Sequence, residues 1–588
     1  MSIGQRCLNR YPVEMNRREI ATAFVLFFFA VALYANALGN GFAHDDRLQL
    51  IENPSIRSLE NIDAWFSSDY WEPVDSGLYR PLVTLSFALN YAVSELEPTS
   101  YHGFNIALHG AIVVLVWFVS LAVFQSVFVA AASAFLFAAH AVHTEAVTGV
   151  VAGRPELLCA LFFLLSFGCH VLRSRRRANS RALHAISLIA FFLALLSKES
   201  GFTLVAVIFL YDVSFLRPRP EGLMAGIWRT ARMRFIPVYA GYAVVAAAAL
   251  AIRFAVFSDA DVLPAIPFDD NPLVELDPPY RILNALAIGW RYVGLLFYPC
   301  HLSYDYSYNQ IPLLYSIAAP IPLLVLFGSG ALFWLALRSH RFSREVFFAI
   351  GFSLATFSLA SNAIVSIGTI MAERLLYLPS LGFCWLVALG ARWLGERIRI
   401  AGVKSGVAQV VVIIALVALN GWRTVLRNDD WHSADRLVLH DIASSPNSAK
   451  ARLNAGIAHA LAGRDAEAIE HYERAIEIMD GRPTDAHNNL GFLLVDREID
   501  VLRGIALLEQ ARQKTPRDVA VLDSLAWGYH KTGRHRKARL LLLEAYSIPT
   551  SPAQAENRRV HLEAVEEALA RRAGLSRKQF LELQRTSD

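Results

Sequence analysis

The stretch IATAFVLFFFAVALYANAL, residues 20–38, decides the class of fold. It carries no charged residue and is long enough to cross the roughly 30 Å hydrocarbon core of a bilayer as a helix. Arg17 and Arg18 precede it, and residues 34–40 offer no convincing small-residue cleavage site. We therefore interpret this stretch as a retained first span and not as a cleaved signal peptide.

Similar apolar runs recur as far as residue 421. They predict eleven spans, at residues 20–38, 104–124, 126–144, 155–172, 182–197, 201–216, 235–257, 312–337, 346–362, 375–392 and 405–421. Basic loops favour the cytoplasm. If residues 283–299 form a re-entrant or interfacial helix, all five basic clusters of the sequence lie in the cytoplasm. These clusters are Arg6–Arg18, Arg173–Arg181, Arg217–Arg234, Arg338–Arg344 and Arg392–Lys404. The exoplasmic side then receives loop 39–103, the acidic loop 258–280 and everything after about residue 422.

The composition agrees with a membrane protein. The 588 residues are 55% hydrophobic and 18% charged, which argues against a purely cytosolic chain and against disorder. The net charge of +4 comes with no basic stripe, so nucleic acid is not expected as a partner. The five cysteines show neither zinc nor redox spacing. Only seven of the 55 basic residues are lysines, a bias that suits a high-GC bacterial genome.

The C-terminal part is a repeat array. Residues 449–546 carry three units at a period of 35, with Gly456, Gly491 and Ala526 at one shared position. Small residues at helix contacts and glycines at the turns are the tetratricopeptide pattern. The predicted fold is therefore all-α: a polytopic bundle followed by an α-solenoid. Its parts are a cytoplasmic N-terminus (1–19), the membrane domain (20–421), a linker (422–448), the repeats (449–546), and a capping helix with a tail (547–588).

Two adjacent carboxylates follow the first span at the exoplasmic surface. Asp45 and Asp46 there could act as a general base, bind a metal, or do both. The alternative is a helix N-cap beside a solvated neighbour. Asp45 is the nearer to the membrane and is favoured slightly, although the sequence does not separate the two.

Further ionisable residues collect at the exoplasmic ends of other predicted spans. On a helix, His140 and His143 would share a face, but a third metal ligand at the right offset is missing, so no metal is assigned. Interfacial salt bridges would explain any one of these residues. They explain less well why acids and bases gather on one side of five segments: Arg80, His140, His143, Glu145, Arg154, Lys198, Glu199, Glu373 and Arg374. Such a cluster suits a lipid phosphate that faces a nucleophile.

The sequence lacks a Walker A loop, a dinucleotide fingerprint and a nucleophile elbow. Hydrolysis of ATP within the chain is therefore not expected. Two other classes of function stay open beside an enzyme. One is a membrane-anchored tetratricopeptide scaffold, and the other is a transporter or flippase for a lipid-linked sugar. A conducting path is disfavoured because the polar residues concentrate at one interface.

A series of short motifs resembles the transmembrane and tetratricopeptide-repeat O-mannosyltransferases, including bacterial relatives. The resemblance covers about residues 20–546. The motifs are Asp45-Asp46, Asn53-Pro54, Trp71, Tyr79–Leu82, His102 with Asn105 and His109, His140–Val147, Gly153–Leu158, Ser197–Gly201 and Ala372–Gly382. That family belongs to the GT-C class of integral-membrane glycosyltransferases.

The resemblance implies a reaction. A Ser or Thr hydroxyl of an exported acceptor attacks a sugar on a polyprenyl phosphate, with inversion, and an acid of the first exoplasmic loop, Asp45 or Asp46, acts as base. Mannose as the sugar rests on the resemblance alone, and no cofactor or metal is implied. The chemistry of the residue types, and not the family, suggests two further groups. Arg374, Arg154, Lys198 and Arg80 are candidates for the phosphate, and His140, His143, Glu145, Glu199 and Glu373 for the sugar or acceptor.

The expected setting is a bacterial inner membrane with periplasmic repeats, or an endoplasmic reticulum membrane with lumenal repeats in a eukaryote. The expected partners are the polyprenyl-phosphate-linked sugar, the bilayer and a protein acceptor docked on the repeats. Animal members carry longer arrays, and three units are near the minimum for a stable stack. Cadherins, which the animal members modify, are therefore not expected to be substrates of this chain.

Overall fold

The computed structural model describes residues 17–71, 76–175, 180–216, 223–258, 266–397, 406–482, 485–548 and 552–585. Every regular element in these ranges is helical, with no β-strand among them, in agreement with the predicted all-α class. Several sequence predictions lie outside the described residues: Arg6, Arg10, Arg176, Arg177, Arg217, Arg219, Arg399, Lys404, most of the N-terminal segment 1–19 and residues 259–265 of the acidic loop.

The chain divides into two compact units, and the first comprises Met1–Ile266, Leu273–Tyr304 and Leu313–Leu437. Its described helices are α1 (Arg17–Leu33), α2 (Ile62–Trp65), α3 (Pro81–Ser94), α4 (Pro98–Phe124), α5 (Val127–Ala139), α6 (Thr144–Thr148), α7 (Val150–Arg175), α8 (Ser180–Leu195), α9 (Leu204–Phe215), α10 (Leu223–Arg234), α11 (Ala240–Val256), α12 (Pro278–Phe297), α13 (Pro320–Phe342), α14 (Arg344–Phe357), α15 (Ser380–Arg397) and α16 (Val407–Asp430). Helix α17 (Ala434–Ser444) follows.

Among the described residues, four helices are both long and apolar enough to cross a membrane: α4, α7, α13 and α16. A fifth crossing arises if α5 and the segment Ala141–Thr148 count as one span, although the two are bent by 53°. Shorter apolar helices accompany them at Pro81–Ser94, Arg181–Leu195 and Ala240–Val256. The number of eleven spans stays a prediction, and so does the membrane placement of residues 283–299, which lie mostly in α12.

The break after α5 shows that the predicted span 126–144 is not one continuous helix. Helix α5 begins at Val127 and ends at Ala139, and it is capped by Ser126, whose side chain accepts a hydrogen bond from the amide of Val129. His140 is extended, with φ −69° and ψ 119°, and its ring accepts from the amide of Val142. The side chain therefore caps the turn that follows instead of continuing the helix.

The core of this unit is a large cluster of apolar side chains contributed by α4, α5, α7, α9, α14 and α15. Trp117 and Trp385 are its largest fully buried side chains. A glycine permits one contact that shapes the polar region. A Cβ on Gly153 would lie 1.9 Å from the carbonyl oxygen of Ala146, so only glycine lets the start of α7 approach α6.

The second unit comprises Pro267–Pro272, Asp305–Pro312 and Val438–Asp588. Its described helices are α18 (Ala449–Leu461), α19 (Asp465–Ile478), α20 (Asp485–Asp496), α21 (Val501–Lys514), α22 (Val519–Lys531), α23 (His535–Tyr546), α24 (Pro552–Arg572) and α25 (Arg577–Arg585). Each predicted repeat thus coincides with one pair of helices. Gly463 and Gly533 lie in turns between paired helices with φ of +72° and +74°, a region that glycine adopts readily.

Two segments that the sequence assigned to the membrane domain belong to this second unit. Lys450 Nζ donates to Asp270 Oδ1 at 2.5 Å, and the amide of Asn309 donates to the carbonyl of Asn447 at 2.9 Å. These contacts join residues 267–272 and 305–312 to the region in which α18 begins.

Candidate active site

The loop after α1 carries the two predicted carboxylates, and hydrogen bonds from two of its residues hold it against the end of α16. Asn40 Nδ2 donates to the carbonyl of Asn428 at 3.0 Å, and the amide of Gly41 donates to the carbonyl of His432 at 3.0 Å. Beyond these anchors the chain turns through His44, whose φ is +51°. The turn sends the neighbouring side chains of Asp45 and Asp46 into different environments.

Asp46 holds the loop in place through hydrogen bonds to the backbone. Its carboxylate is buried and accepts from the amide of Ala43 at 3.0 Å and from the amide of Val151 at 2.9 Å. Burial raises the pKa of Asp46 to about 7, against the lowering effect of the two amides. The side chain therefore ties the loop to the first turn of α7 and offers no accessible oxygen to a substrate.

Asp45 is the accessible member of the pair, with 28% of its side chain exposed. The hydroxyl of Tyr304 donates to Asp45 Oδ2 at 2.9 Å, and His44 Nδ1 lies 2.8 Å from Oδ1. Tyr304 is buried, and its ring lies edge-on to Trp431 at 5.3 Å between centroids. Burial, and then the charge of Asp45, raises the pKa of Tyr304 above its ordinary range, so this hydroxyl is a donor at neutral pH.

Arg374 and Glu145 form an ion pair near Asp45. The guanidinium of Arg374 bonds to Glu145 Oε1, and its backbone amide donates to Glu145 Oε2 at 2.7 Å. Glu145 is buried at the start of α6, whereas 24% of the Arg374 side chain is exposed. The charge of Arg374 also acts on Asp45 and Tyr304. A partly exposed cation thus interacts electrostatically with a partly exposed carboxylate.

The two histidines do not share a helical face, because α5 ends before them. His140 Nε2 lies 3.0 Å from the carbonyl of Leu296. His143 Nε2 lies 2.7 Å from Ser380 Oγ and its Nδ1 lies 2.8 Å from the carbonyl of Phe137. Both rings are buried, and both nitrogens of His143 contact protein groups. The structure gives His143 packing partners and not an exposed face for a sugar.

Arg154 is also buried, away from solvent. Its guanidinium donates to Asn105 Oδ1 at 2.5 Å, to Ser86 Oγ at 3.1 Å and to Asn90 Oδ1 at 3.0 Å. The rings of Phe87 and Phe104 lie 4.9 and 4.4 Å from it. These partners come from α3 and α4, so Arg154 joins those helices to α7.

A second polar cluster contains Arg80, Lys198 and Glu199. Arg80 Nη2 donates to Glu199 Oε2 at 3.0 Å, and Lys198 pairs with Glu156. Burial raises the pKa of Glu199, but the charges of Arg80 and Arg253 outweigh it and lower that pKa below its ordinary value. Glu156 acts electrostatically on both Arg80 and Glu145, so the charges of this cluster and of the Arg374 pair influence each other.

Sequence reasoning missed Arg253, Tyr304 and His44. Arg253 Nη1 lies 3.3 Å from Glu199 Oε1 and Nη2 donates to the carbonyl of Gly77 at 2.5 Å. A signal for Arg253 existed, since it is the one charged residue of the apolar run 240–257. Nothing in the sequence linked Tyr304 to Asp45, because 259 positions separate them.

Glu373 is buried and its Oε1 accepts from the amide of Ser303 at 2.5 Å. It therefore holds the segment before Tyr304 beside Arg374. Among the described residues, no three His, Cys, Asp or Glu side chains are grouped as metal ligands.

Comparison with known proteins connects this site to one family. A family model described as "Protein O-mannosyl-transferase TMTC, DUF1736" matches residues 262–332. Protein O-mannosyl-transferase TMTC3 of Homo sapiens is 31% identical over 514 residues, which cover 81% of this chain and 53% of that relative. TMTC1 of Homo sapiens is 29% identical, over 79% of this chain and 55% of the relative. TMTC4 of Mus musculus is 29% identical, over 76% of this chain and 65% of the relative.

The chain spans about half the length of the first of these relatives. Over the shared part, the similarity runs through both the apolar helices and the loop that carries Tyr304. The resemblance that the motifs indicated is thereby confirmed, and over about four fifths of its length this chain is similar in sequence to the TMTC protein O-mannosyl-transferases.

Proposed function

We propose that this chain is an integral-membrane glycosyltransferase that transfers mannose from a polyprenyl-phosphate donor to Ser or Thr hydroxyls of an exported protein. One observation carries the proposal: Asp45 is a partly exposed carboxylate held by two side-chain partners, and it interacts electrostatically with Arg374, whose side chain is also partly exposed. A base beside a cation suits a reaction in which a hydroxyl loses its proton and a phosphate leaves.

In the proposed step, Asp45 takes the proton of the acceptor hydroxyl. The oxygen attacks the anomeric carbon, the bond from that carbon to the phosphate oxygen breaks, and polyprenyl phosphate leaves with the electron pair. The configuration inverts because attack and departure occur on opposite faces of the sugar. Arg374 stabilises the charge on the leaving phosphate, and its two-point attachment to Glu145 holds it ready for that role.

The second cluster supplies further cations. Arg80 and Arg253 both contact Glu199, and Lys198 directly precedes Glu199 in the sequence. We propose that these side chains guide the donor phosphate and that the partly exposed Glu199 contacts the sugar or acceptor. Arg154, His140, His143 and Glu373 support this region from within the bundle, because they are buried against protein partners.

We propose the eleven-span topology, with Asp45 and the repeats on the exoplasmic side of a bacterial inner membrane. The three helix pairs from α18 to α23 are proposed to be tetratricopeptide units that dock the acceptor protein. Gly456 supports that assignment, because a Cβ there would lie 2.4 Å from the ring of Tyr472 on the paired helix. Small residues at such contacts are typical of these repeats.

A transfer assay with the purified full chain tests the function. Labelled polyprenyl-phosphate-mannose is offered with a mixture of exported proteins, and label on protein is measured. Labelled protein supports the proposal. Donor hydrolysis without labelled protein would shift the acceptor away from protein. Transbilayer movement of an unconsumed donor would favour the flippase, and no use of any sugar donor would favour the scaffold.

The proposed topology has its own test. A reporter that is active only outside the cytoplasm, fused after residue 430, should be active, while the same reporter fused at Ser343, between α13 and α14, should be inactive. Activity reversed between the two sites would contradict the proposed arrangement.

A further inference from the structure

Both oxygens of the Asp45 carboxylate have a ring partner. Tyr304 donates to Oδ2 at 2.9 Å, and His44 Nδ1 lies 2.8 Å from Oδ1 and 3.0 Å from the Tyr304 oxygen. An ionised carboxylate can only accept hydrogen bonds, so both of these ring partners donate to Asp45. His44 Nδ1 therefore carries a proton and donates to Asp45 Oδ1. Each oxygen is held by a different residue.

The backbone beside the carboxylate is held in an uncommon conformation. His44 has φ +51°, in the left-handed region that residues with a Cβ rarely adopt. Its ring lies 4.4 Å from the ring of Tyr304, between centroids, and Tyr304 is itself buried beside Trp431. Such conformations persist where the surroundings over-determine them, and they cluster at functional sites.

We infer that Tyr304 and His44 are positioning residues for the reaction: they orient the Asp45 carboxylate and stabilise its charged form, an inference that rests on the proposed function. Neither needs to touch the substrate. An oxygen that accepts one hydrogen bond keeps a second lone pair, so Asp45 can still accept the hydroxyl proton. Tyr304 comes from the loop after α12, inside the region that the family model matches.

Other groups also act on Asp45, and the test must hold them constant. Asp46 is buried, and its carboxylate is bonded to the amide of Val151 in α7. Arg374 contributes a positive charge and is paired with Glu145. The titratable and charged groups that act on Asp45 or on its partner Tyr304 include His44, Asp46, Tyr70, Glu145 and Arg374. A substitution that removes one hydroxyl and keeps the ring leaves all the other groups in place.

Tyr304→Phe is that substitution. Its matched control is Tyr79→Phe, since Tyr79 is also buried and its hydroxyl donates to the carbonyl of Phe66 at 3.0 Å. The pH dependence of kcat/KM is measured for both, because its acidic limb reports the base of the free enzyme. Loss of a donor to a carboxylate favours the protonated form. Tyr304→Phe should therefore move the acidic limb to higher pH by about one unit, which is about tenfold in rate below the limb.

The expected pattern is specific to positioning a base. Tyr304→Phe should approach the wild-type rate on the plateau above the limb, with the donor KM unchanged, and Tyr79→Phe should keep the wild-type limb. His44→Asn, which tolerates the left-handed backbone, should shift the limb in the same direction. If wild type is active and Tyr304→Phe lowers the rate by one factor at every pH, or not at all, the inference is overturned while the proposed function stands.

A second measurement does not require activity. Carbodiimides modify protonated carboxyl groups, so the rate at which Asp45 is labelled across a pH series follows its protonation. Peptide mass spectrometry of the full chain should show the midpoint for Asp45 about one unit higher in Tyr304→Phe than in wild type and Tyr79→Phe. Equal midpoints in all three would overturn the inference. An inactive wild type with a shifted midpoint would instead count against the proposed function alone.

Discussion

Glu145 accepts hydrogen bonds from two different parts of Arg374, the guanidinium at Oε1 and the backbone amide at Oε2. The first contact fixes the position of the guanidinium, and the second fixes the position of the Arg374 backbone. Glu145 reaches this position because α5 ends at Ala139 and the chain bends before α6 begins. A buried carboxylate thus holds a partly exposed cation that interacts electrostatically with Asp45.

Arg374→Lys should weaken binding of the sugar donor, with a smaller effect on the stability of the fold. Lysine keeps the charge but has no planar fork to bind Glu145 and a phosphate at once. We expect the donor KM to rise about tenfold, because one hydrogen bond to a charged group is lost. Michaelis kinetics on the purified chain check this. Arg47→Lys is the control, since Arg47 is exposed in the same loop as Asp45. An unchanged donor KM in Arg374→Lys would remove Arg374 from the phosphate site.

Asp46 should make the folded state more stable as the pH falls. Its pKa is raised to about 7 by burial, against 3.8 as the ordinary value, so the folded chain binds this proton first. The contribution is complete below about pH 4 and is lost as the pH rises through about 7. Thermal unfolding of wild type and Asp46→Asn between pH 8 and pH 5 measures it. Wild type should gain roughly 2 kcal/mol over the variant across this range. Parallel curves would contradict this assignment.

Arg154→Met should destabilise the bundle and leave donor recognition intact. The substitution keeps the length of the side chain but removes the donors to Asn105, Ser86 and Asn90, all within the bundle. Buried polar groups without partners cost about 1–3 kcal/mol each, so the free energy of unfolding should fall by about 3 kcal/mol. Thermal unfolding and the donor KM of the remaining active protein are the two measurements. A raised donor KM with unchanged stability would restore the phosphate role that the sequence suggested.

Gly491 should be intolerant of alanine. A Cβ there would lie 2.7 Å from Leu508 Cγ and 2.9 Å from the carbonyl oxygen of Gly504, across the pair α20 and α21. Backbone gives way less easily than a side chain, and overpacking costs about 1–3 kcal/mol. Limited proteolysis should cut the variant faster within residues 485–514. An unchanged cleavage rate would show that α20 and α21 separate at little cost.

The helical class and the paired helices of the C-terminal part were predictable because they depend on local patterns. An apolar run such as residues 104–124 predicts a helix, and a glycine such as Gly463 predicts a turn. Both signals lie within a short stretch of the sequence. The break at His140 was not predictable from hydropathy, since His140 follows Ala138 and Ala139 at the end of an apolar run. It depends on a ring that caps the next turn.

The candidate site was only partly predictable for the same reason. The sequence identified the acidic pair, but adjacent residues of one type look alike until burial separates them. Asp46 accepts from Val151, which is 105 positions away, and Asp45 accepts from Tyr304, which is 259 away. Arg154 and Arg374 looked equivalent as cations at span ends, but Arg154 is fully buried against Phe87 and Phe104, whereas Arg374 pairs with Glu145 and is partly exposed.

The most direct test of the central claim is the transfer rate of Asp45→Asn beside that of Asp63→Asn. Asp63 is an exposed acid of the same loop, so the control removes one carboxylate of equal chemistry away from Tyr304. Asp45→Asn should lower transfer of labelled mannose by about 10²–10⁴-fold, with donor binding retained, and Asp63→Asn should match wild type. A wild-type rate in Asp45→Asn would contradict the account, because the base would then lie elsewhere.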